Sequence, residues 1–234
     1  MHIVIPARMA SERLPGKPLL DIAGMPMVVR VARTCIAVTS SAVVTVSTPD
    51  AEIEEACREF DIQVHRSSLQ CQSGTDRVAE FSKSRPDIER IVNVQGDEPM
   101  LTARVLSDFL AKAGRIQGVA VGVAPLTDPD QVGSNSTVKV ATSRNRFVYA
   151  SRAALPVQSD ETHVNFWKHT GLYSFTRDSL SFFSETPKGA LELAENVEIL
   201  RLIENRFPVL AIEIESYGRA VDTERDLTYV RQQL

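Results

Sequence analysis

The stretch HIVIPARMASERLPGKPL (residues 2–19) opens with an apolar run and continues into a loop that carries three cations. The run HIVIP is typical of a strand buried on both faces, because its apolar residues follow one another without polar alternation. Arg8, Arg13 and Lys17 come after it. Ligands of open α/β sheets bind outside the carboxyl ends of the strands. The opening therefore predicts a strand of such a sheet and a candidate ligand site at its end.

Short β-branched runs alternate with helical patterns through the first half of the chain. Strands are predicted at residues 2–6, 42–48 and 90–95, and this alternation is typical of a mostly parallel sheet covered by helices. The later segments VAVGVAPL, TVKVAT and RFVYAS follow one another closely, so they predict an extension of the sheet or a small β-rich lobe. We predict one α/β domain over residues 1–234, with a lobe over about 120–185.

The composition argues against several classes of protein. The 234 residues carry a formal charge of −4, whereas nucleic-acid-binding proteins present a broad basic surface. No apolar run of the sequence approaches the roughly 20 residues of a membrane span. The three cysteines are odd in number and lack C-x-x-C spacing. We therefore expect reduced thiols in a cytoplasmic protein, rather than a disulfide or a zinc site.

The opening loop is a candidate phosphate site. Three cations in one short loop repel one another and need an anionic partner, and guanidinium and ammonium groups suit phosphate oxygens. The loop is not a Walker A motif, because G-x-x-x-x-G-K-[ST] is absent. A solvated surface loop is the alternative interpretation.

Two aspartates are candidate ligands of a divalent cation. Asp97 follows the strand of VNVQGDEPML (residues 92–101), at the same edge of the sheet as the cationic loop. Mg²⁺ takes oxygen ligands and bridges to phosphate. Asp222 precedes Thr223 in YGRAVDTERDL (residues 217–227), so it is either a second ligand or part of a helix cap. A turn or cap is also the alternative for Asp97.

Two further motifs predict ligand contacts. In QSGTDRVAEF (residues 72–81), Ser73, Gly74 and Thr75 begin a helix whose free N–H groups suit a polar ligand, with an ordinary cap as the alternative. Arg77 is unfavourable against the helix dipole, which indicates another purpose. In FWKHTGLYSF (residues 166–175), the histidine and tyrosine share one face of a strand. A purely structural histidine is the alternative there.

Six motifs taken together resemble those of one family: IPARMASERLPGKPLLDIAGMPM, SGTDR, VNVQGDEPM, YASRAALP, KHTGLYSF and VDT. In this order they resemble the 3-deoxy-manno-octulosonate (Kdo) cytidylyltransferases, or CMP-Kdo synthetases, over nearly the whole chain. CMP-sialic acid synthetases share the plan but lack the run RLPGKPL.

The resemblance implies a fold and a reaction. The fold would be the nucleotide-diphospho-sugar transferase type, a Rossmann-like α/β sandwich with a mostly parallel mixed sheet, assembled as a homodimer through the β lobe. The reaction would join CTP and a 3-deoxy-2-keto sugar acid, with Mg²⁺, to give a CMP-sugar and pyrophosphate for lipopolysaccharide or capsule synthesis. The site residues implied are Arg8, Arg13, Lys17, Ser73, Gly74, Thr75, Arg77 and Gln95 for CTP, Asp97 and Asp222 for the metal, and Gln95, Arg152, His169, Tyr173 and Glu198 for the sugar, with Lys17, Arg8, Arg13 and Asp97 as the catalytic set.

One position departs from the family pattern. ALELAENVEILRLIENR (residues 190–206) predicts one long helix, in which Ile199 stands where the family has a sugar-binding glutamine. The helical wheel places Ile199 on the polar face, so we predict that it lies at the sugar site, a harmless surface position being the alternative. A modified Kdo, another 2-keto sugar acid, or a non-catalytic nucleotide-binding role are therefore the alternatives to plain Kdo chemistry.

Overall fold

The computed structural model describes residues 1–11, 13–156 and 166–234. Within these residues nine strands form one mixed sheet in the order β3-β2-β1-β4-β8-β5-β9-β7-β6. Strands β1, β2, β3 and β4 pair in parallel, β5 and β9 also pair in parallel, and β8 runs antiparallel between β4 and β5. The strands are β1 (His2–Pro6), β2 (Val44–Thr48), β3 (Gln63–Arg66), β4 (Arg90–Val94), β5 (Val119–Pro125), β6 (Lys139–Ser143), β7 (Arg146–Ser151), β8 (Trp167–Thr176) and β9 (Val209–Glu213).

Helices cover both faces of the sheet. They are α1 (Met27–Val38), α2 (Ala51–Glu59), α3 (Gly74–Ser84), α4 (Ala103–Ala113), α5 (Pro129–Gly133), α6 (Arg177–Glu185), α7 (Ala190–Glu195), α8 (Leu200–Glu204) and α9 (Glu224–Gln233). Ile3 and Ile5 of β1 pack with α1, α2 and α4 on one face, whereas Val4 packs with α3 and α6 on the other. This division confirms the prediction that β1 is buried on both faces, since successive side chains of a strand point to opposite sides.

The strands expected in the lobe over about 120–185 belong to this same sheet. β5 and β8 lie inside it, and the antiparallel pair β6 and β7 ends the strand order, with β6 also pairing back to β8. Among the aromatic residues of this region, Phe147 is buried, and Tyr149 and Trp167 pack against the core. Residues 157–165 of the predicted lobe lie outside the described residues.

The long helix predicted over residues 190–206 is wrong. Helix α7 ends at Glu195, Asn196 adopts a left-handed conformation with φ of 52°, and α8 begins only at Leu200. The break changes the helical phase, so Leu193 and Ile199 lie on the opposite sides from those that the wheel gives them, although Val197 and Leu200 are buried. Leu193 is 66% exposed, whereas Ile199 is 1% exposed and packs in the core with Leu202.

The three cysteines are free thiols, and two of them, Cys35 and Cys57, are buried. In the described parts of the chain, none of the helices combines the length and the apolar character that crossing a bilayer requires.

Candidate active site

An open cleft runs past the carboxyl ends of β1 and β4. Most of the residues singled out in the sequence line it: Arg8, Arg13, Lys17, Ser73, Gly74, Arg77, Gln95, Asp97, Arg152, His169, Tyr173, Glu198 and Asp222. The lining does not include Thr75 and Ile199, both of which are 1% exposed. Thr75 Oγ1, at the start of α3, instead accepts a hydrogen bond from Asn93 of β4 (3.4 Å), so its side chain lies away from the cleft in which the resemblance placed it.

The burial of Ile199 also corrects its assignment to the sugar site. Its side chain belongs to the apolar cluster beneath the sheet, where Val197 and Leu200 are its neighbours in the chain. The wheel failed because it assumed an unbroken helix across Asn196.

The cationic loop meets both candidate metal ligands. Lys17 Nζ lies 2.6 Å from Asp97 Oδ2 and 3.1 Å from Asp222 Oδ1. Arg13 Nη2 lies 3.2 Å from Asp222 Oδ1, while Arg8 is exposed on the cleft wall. Two carboxylates and two cations of the predicted site are therefore in direct contact.

Local structure explains this convergence. Gly16 adopts φ of 68° and begins a 3-10 turn at Lys17–Leu19. Leu14, 2% exposed, packs against Val221 and Leu227 near α9, which fixes the loop beside Asp222. The backbone N–H of Val221 donates to the carbonyl of Asp97 (2.9 Å), so the two carboxylate-bearing segments are joined directly.

The charge state of Lys17 follows from these contacts. Burial lowers the pKa of Lys17, but the carboxylates of Asp97 and Asp222 outweigh it and hold the pKa above its ordinary value. Lys17 is therefore an ammonium ion at neutral pH.

Asp222 is not the side-chain cap of α9. Thr223 is the N-cap, and it forms a capping box with Asp226. Only the backbone N–H of Asp222 takes part, donating to Asp226 (3.2 Å). The Asp222 carboxylate is left to face the cleft, as the metal-ligand alternative requires.

The N-terminus of α3 has a protein partner that the sequence did not indicate. Glu198 accepts hydrogen bonds from the backbone N–H groups of Gly74 and Thr75, both at 2.9 Å. A carboxylate at this position complements the positive end of the helix dipole. The free N–H groups predicted at Gly74 and Thr75 are thus bonded to Glu198, whereas Ser73 acts as an ordinary side-chain cap for Asp76.

Arg77 is a buried cation next to this helix end. Its guanidinium donates to the carbonyls of Ser73 (2.9 Å) and Cys71 (3.2 Å), and its side chain is 3% exposed. Burial, and then the charge of Arg8, lower the pKa of Arg77. Because carbonyls hold the guanidinium without neutralising it, Arg77 adds positive potential to the cleft.

The opposite part of the cleft holds His169, Tyr173 and Arg152. The rings of His169 and Tyr173 lie 4.8 Å apart, which confirms that they share a face of β8. His169 Nδ1 accepts from the backbone of Gly171 (3.2 Å), so its proton is on Nε2, which has no partner among the described residues. Burial, and then Arg152, lower the pKa of His169 to about 4. His169 therefore presents a neutral N–H donor.

Arg152 is held by the backbone around it. Nε donates to the carbonyl of Glu195 (2.8 Å), and Nη1 donates to that of Asn135 (2.9 Å). The Glu195 carboxylate accepts from the Arg152 backbone N–H (2.8 Å). These contacts fix the guanidinium at the cleft wall.

Three buried ionisable side chains at and beneath the cleft were not found from the sequence. Lys139, fully buried, donates to the carbonyls of Ser134 (2.7 Å), Thr137 (2.9 Å) and Arg152. Lys168 donates to the carbonyl of Gly218, and Glu98 lies next to Asp97; both are 6% exposed. A single charge inside an otherwise apolar strand, as in TVKVAT, was the available signal.

The donor set suits a small hard cation. In the described ranges, no group of three or more His, Cys, Asp or Glu side chains is placed to hold a metal. Two carboxylates do converge on one ammonium, and Mg²⁺ commonly uses one or two carboxylates together with substrate phosphates and water. Asp97 and Asp222 therefore fit Mg²⁺ bound jointly with a nucleotide.

Comparisons with known proteins show the family to which the chain belongs. A family model described as Cytidylyltransferase matches residues 2–214. The 3-deoxy-manno-octulosonate cytidylyltransferase of Myxococcus xanthus is 38% identical, over 97% of this chain and 93% of the relative. That of Escherichia coli is 37% identical, over 98% of this chain and 94% of the relative. The chain belongs to the 3-deoxy-manno-octulosonate cytidylyltransferase family.

Solved structures place this family member in its fold. A CMP:2-keto-3-deoxy-manno-octonic acid synthetase complexed with CTP superposes with a TM-score of 0.87 at 34% identity, covering 100% of this chain and 99% of that one. A 4-diphosphocytidyl-2C-methyl-D-erythritol synthase reaches a TM-score of 0.66 at 13% identity, covering 99% and 97%. The second likeness is one of fold alone, and the first confirms the nucleotide-sugar transferase architecture.

Proposed function

We propose that this protein is a Kdo cytidylyltransferase, which transfers CMP from CTP to the anomeric hydroxyl of Kdo and releases pyrophosphate. The observation that carries the proposal is the convergence of Lys17 and Arg13 on Asp97 and Asp222, in a chain that belongs to this family. The product is an activated sugar for lipopolysaccharide or capsule synthesis.

The cations of the cleft bind and stabilise the triphosphate. In this reaction the sugar hydroxyl attacks the α-phosphorus and pyrophosphate leaves in line, so negative charge develops on the leaving oxygens. Arg8, Arg13 and Lys17 stabilise that charge, and the potential of buried Arg77 adds to theirs. Loss of one positioned donor of this kind typically costs about 2.7–4 kcal/mol of transition-state stabilisation. No protein nucleophile is required.

Asp97 and Asp222 would hold Mg²⁺. When bound, Mg²⁺ neutralises phosphate charge and lowers the pKa of the attacking hydroxyl. The hydrogen bond from the Val221 N–H to the Asp97 carbonyl keeps the carboxylates of Asp97 and Asp222 close to each other.

The sugar acid occupies the His169 side of the cleft. The neutral Nε2–H of His169 donates to a sugar oxygen, and Arg152 attracts the sugar carboxylate. Gln95, Tyr173 and Glu198 line the same cleft. The hypothesis of a modified acceptor loses its basis, because Ile199 is 1% exposed and lies in the core.

Assembly and location form part of the proposal. We propose a homodimer formed through the β6–β7 hairpin, where Val148 is 48% exposed. We place the protein in the cytoplasm, where its free cysteines stay reduced. Nucleic acid and membranes are not its partners.

Pyrophosphate release tests the reaction. The protein is incubated with CTP and Mg²⁺, with Kdo and N-acetylneuraminate offered separately, beside Asp97→Asn. We expect release with Kdo, little with N-acetylneuraminate, and loss in the variant. A folded wild-type protein that binds CTP but releases no pyrophosphate with Kdo would contradict the proposal.

A further inference from the structure

One ammonium ion is shared between the two carboxylates of the proposed metal site. Lys17 Nζ lies 2.6 Å from Asp97 Oδ2 and 3.1 Å from Asp222 Oδ1. The side chains of these three residues are 17%, 25% and 18% exposed, so water screens their charges only in part. Lys17 therefore acts as an internal cation for the pair.

A divalent cation held by the same pair competes with the ammonium for the same negative charge. Lys17 Nζ already lies against one oxygen of each carboxylate. Mg²⁺ binds carboxylate oxygen at about 2.1 Å, so a metal between the two carboxylates would lie close to the ammonium, and two such cations repel each other strongly in a partly desolvated cleft. Occupation of the pair by metal is therefore strongly disfavoured while Lys17 stays between the carboxylates.

Lys17 is able to leave when another anion is present. Its four-carbon stem is flexible and its ammonium is a point charge with no fixed geometry. The residue lies on the same loop as Arg8 and Arg13, at the cleft where phosphates are proposed to bind. Triphosphate oxygens there replace the carboxylates as its partner.

We infer that Lys17 is the internal counter-ion of Asp97 and Asp222, and that it excludes the divalent cation until a nucleoside triphosphate draws the ammonium away. This inference rests on the proposed metal site. It makes metal and nucleotide binding reciprocally coupled, since each favours the arrangement that the other needs.

Mn²⁺ binding without nucleotide tests the inference. The free Mn²⁺ signal in electron paramagnetic resonance is titrated with wild type, Lys17→Met, and Lys17→Met combined with Asp97→Asn. We expect Lys17→Met to bind Mn²⁺ at least about tenfold more tightly than wild type, which is 1.4 kcal/mol, and the double variant to lose this gain. Lys83→Met, which removes an exposed lysine from α3, should leave Mn²⁺ affinity at the wild-type value.

The outcomes separate this inference from the proposed metal site. CTP affinity is measured for wild type and Asp97→Asn, with Mn²⁺ and with chelator. If Mn²⁺ strengthens CTP binding only when Asp97 is present, while Lys17→Met gains no Mn²⁺ affinity, the counter-ion role is wrong and the metal site stands. If neither measurement depends on Asp97, both fail. Should Lys17→Met not fold, Lys17→Gln removes the same charge and decides the question.

Discussion

Replacing Arg201 with methionine removes a buried guanidinium that holds residues 190–204 in place. Arg201 and Glu192 are 3% and 4% exposed, and two hydrogen bonds of 2.7 Å join them. Arg201 also donates to the carbonyl of Phe183 (3.1 Å) and reaches Asp76 of α3 at 3.3 Å. The same segment carries Glu198, so this ion pair supports the cap of α3.

The expected loss of stability comes mainly from Glu192, the ion-pair partner that the substitution leaves behind. Methionine fills part of the space of the arginine stem, but Glu192 would stay buried without its cation. Removing one member of a buried pair costs about 3–5 kcal/mol. In proteins of this size one kcal/mol lowers Tm by about 2–4 °C, so Arg201→Met should lower Tm by roughly 6–20 °C.

Thermal and urea unfolding followed by circular dichroism measure this cost. Arg58→Met is the matched control, because Arg58 pairs with Glu54 at 2.9 Å with 70% of its side chain exposed, and such pairs contribute about 0.3–0.5 kcal/mol. Combining Arg201→Met with Glu192→Leu should restore most of the stability. A single variant no less stable than the Arg58 control, or a double variant no better than the single, would refute the reasoning.

Three further predictions concern the cleft and the core. Lys139 fixes the carbonyl of Arg152, the residue proposed to attract the sugar carboxylate. In steady-state kinetics, Lys139→Met should therefore raise the KM for Kdo by between about ten- and a hundredfold and leave the KM for CTP nearly unchanged. Ile199→Gln should lower the free energy of urea unfolding by about 2–4 kcal/mol, whereas Leu193→Gln, at a side chain 66% exposed, should change it by less than about 0.5 kcal/mol. Burial holds the pKa of His2 and His169 at about 4, against an ordinary value of 6.5. Between these pH values the unfolded chain binds more protons than the folded one, so the free energy of unfolding should fall as pH drops from 6.5 to 4. His169→Asn should make this fall shallower when unfolding is measured at a series of pH values, and an unchanged slope would contradict the prediction.

The sequence indicated those parts of the site that depend on strand ends. Buried β-branched runs predicted β1 and β4, and the position of Lys17 and Asp97 after them predicted that both residues would lie at the same edge of the sheet, where their side chains are in contact. Asp222 was harder to place, because its contact with Lys17 spans most of the chain. Its pairing was suggested by the family resemblance rather than by local pattern.

The remaining features depend on tertiary contacts that local pattern does not encode. Asn196 breaks the predicted helix by adopting a left-handed conformation, which asparagine tolerates but does not require. Glu198 caps a helix that begins 124 residues earlier in the chain. Lys139 is buried because three carbonyls surround its ammonium, and a strand pattern alone gives no sign of such partners.

The position of Asp222 in the chain has a consequence for the order in which the protein folds during its synthesis. The cationic loop follows β1 in the chain, but its partner Asp222 emerges from the ribosome only after every strand of the described sheet has been made. Until then Lys17 can meet Asp97 but not its second carboxylate, and Arg13 lacks its ion-pair partner. The nascent chain can therefore assemble its sheet before the proposed catalytic centre is complete, because that centre needs a residue that follows every described strand.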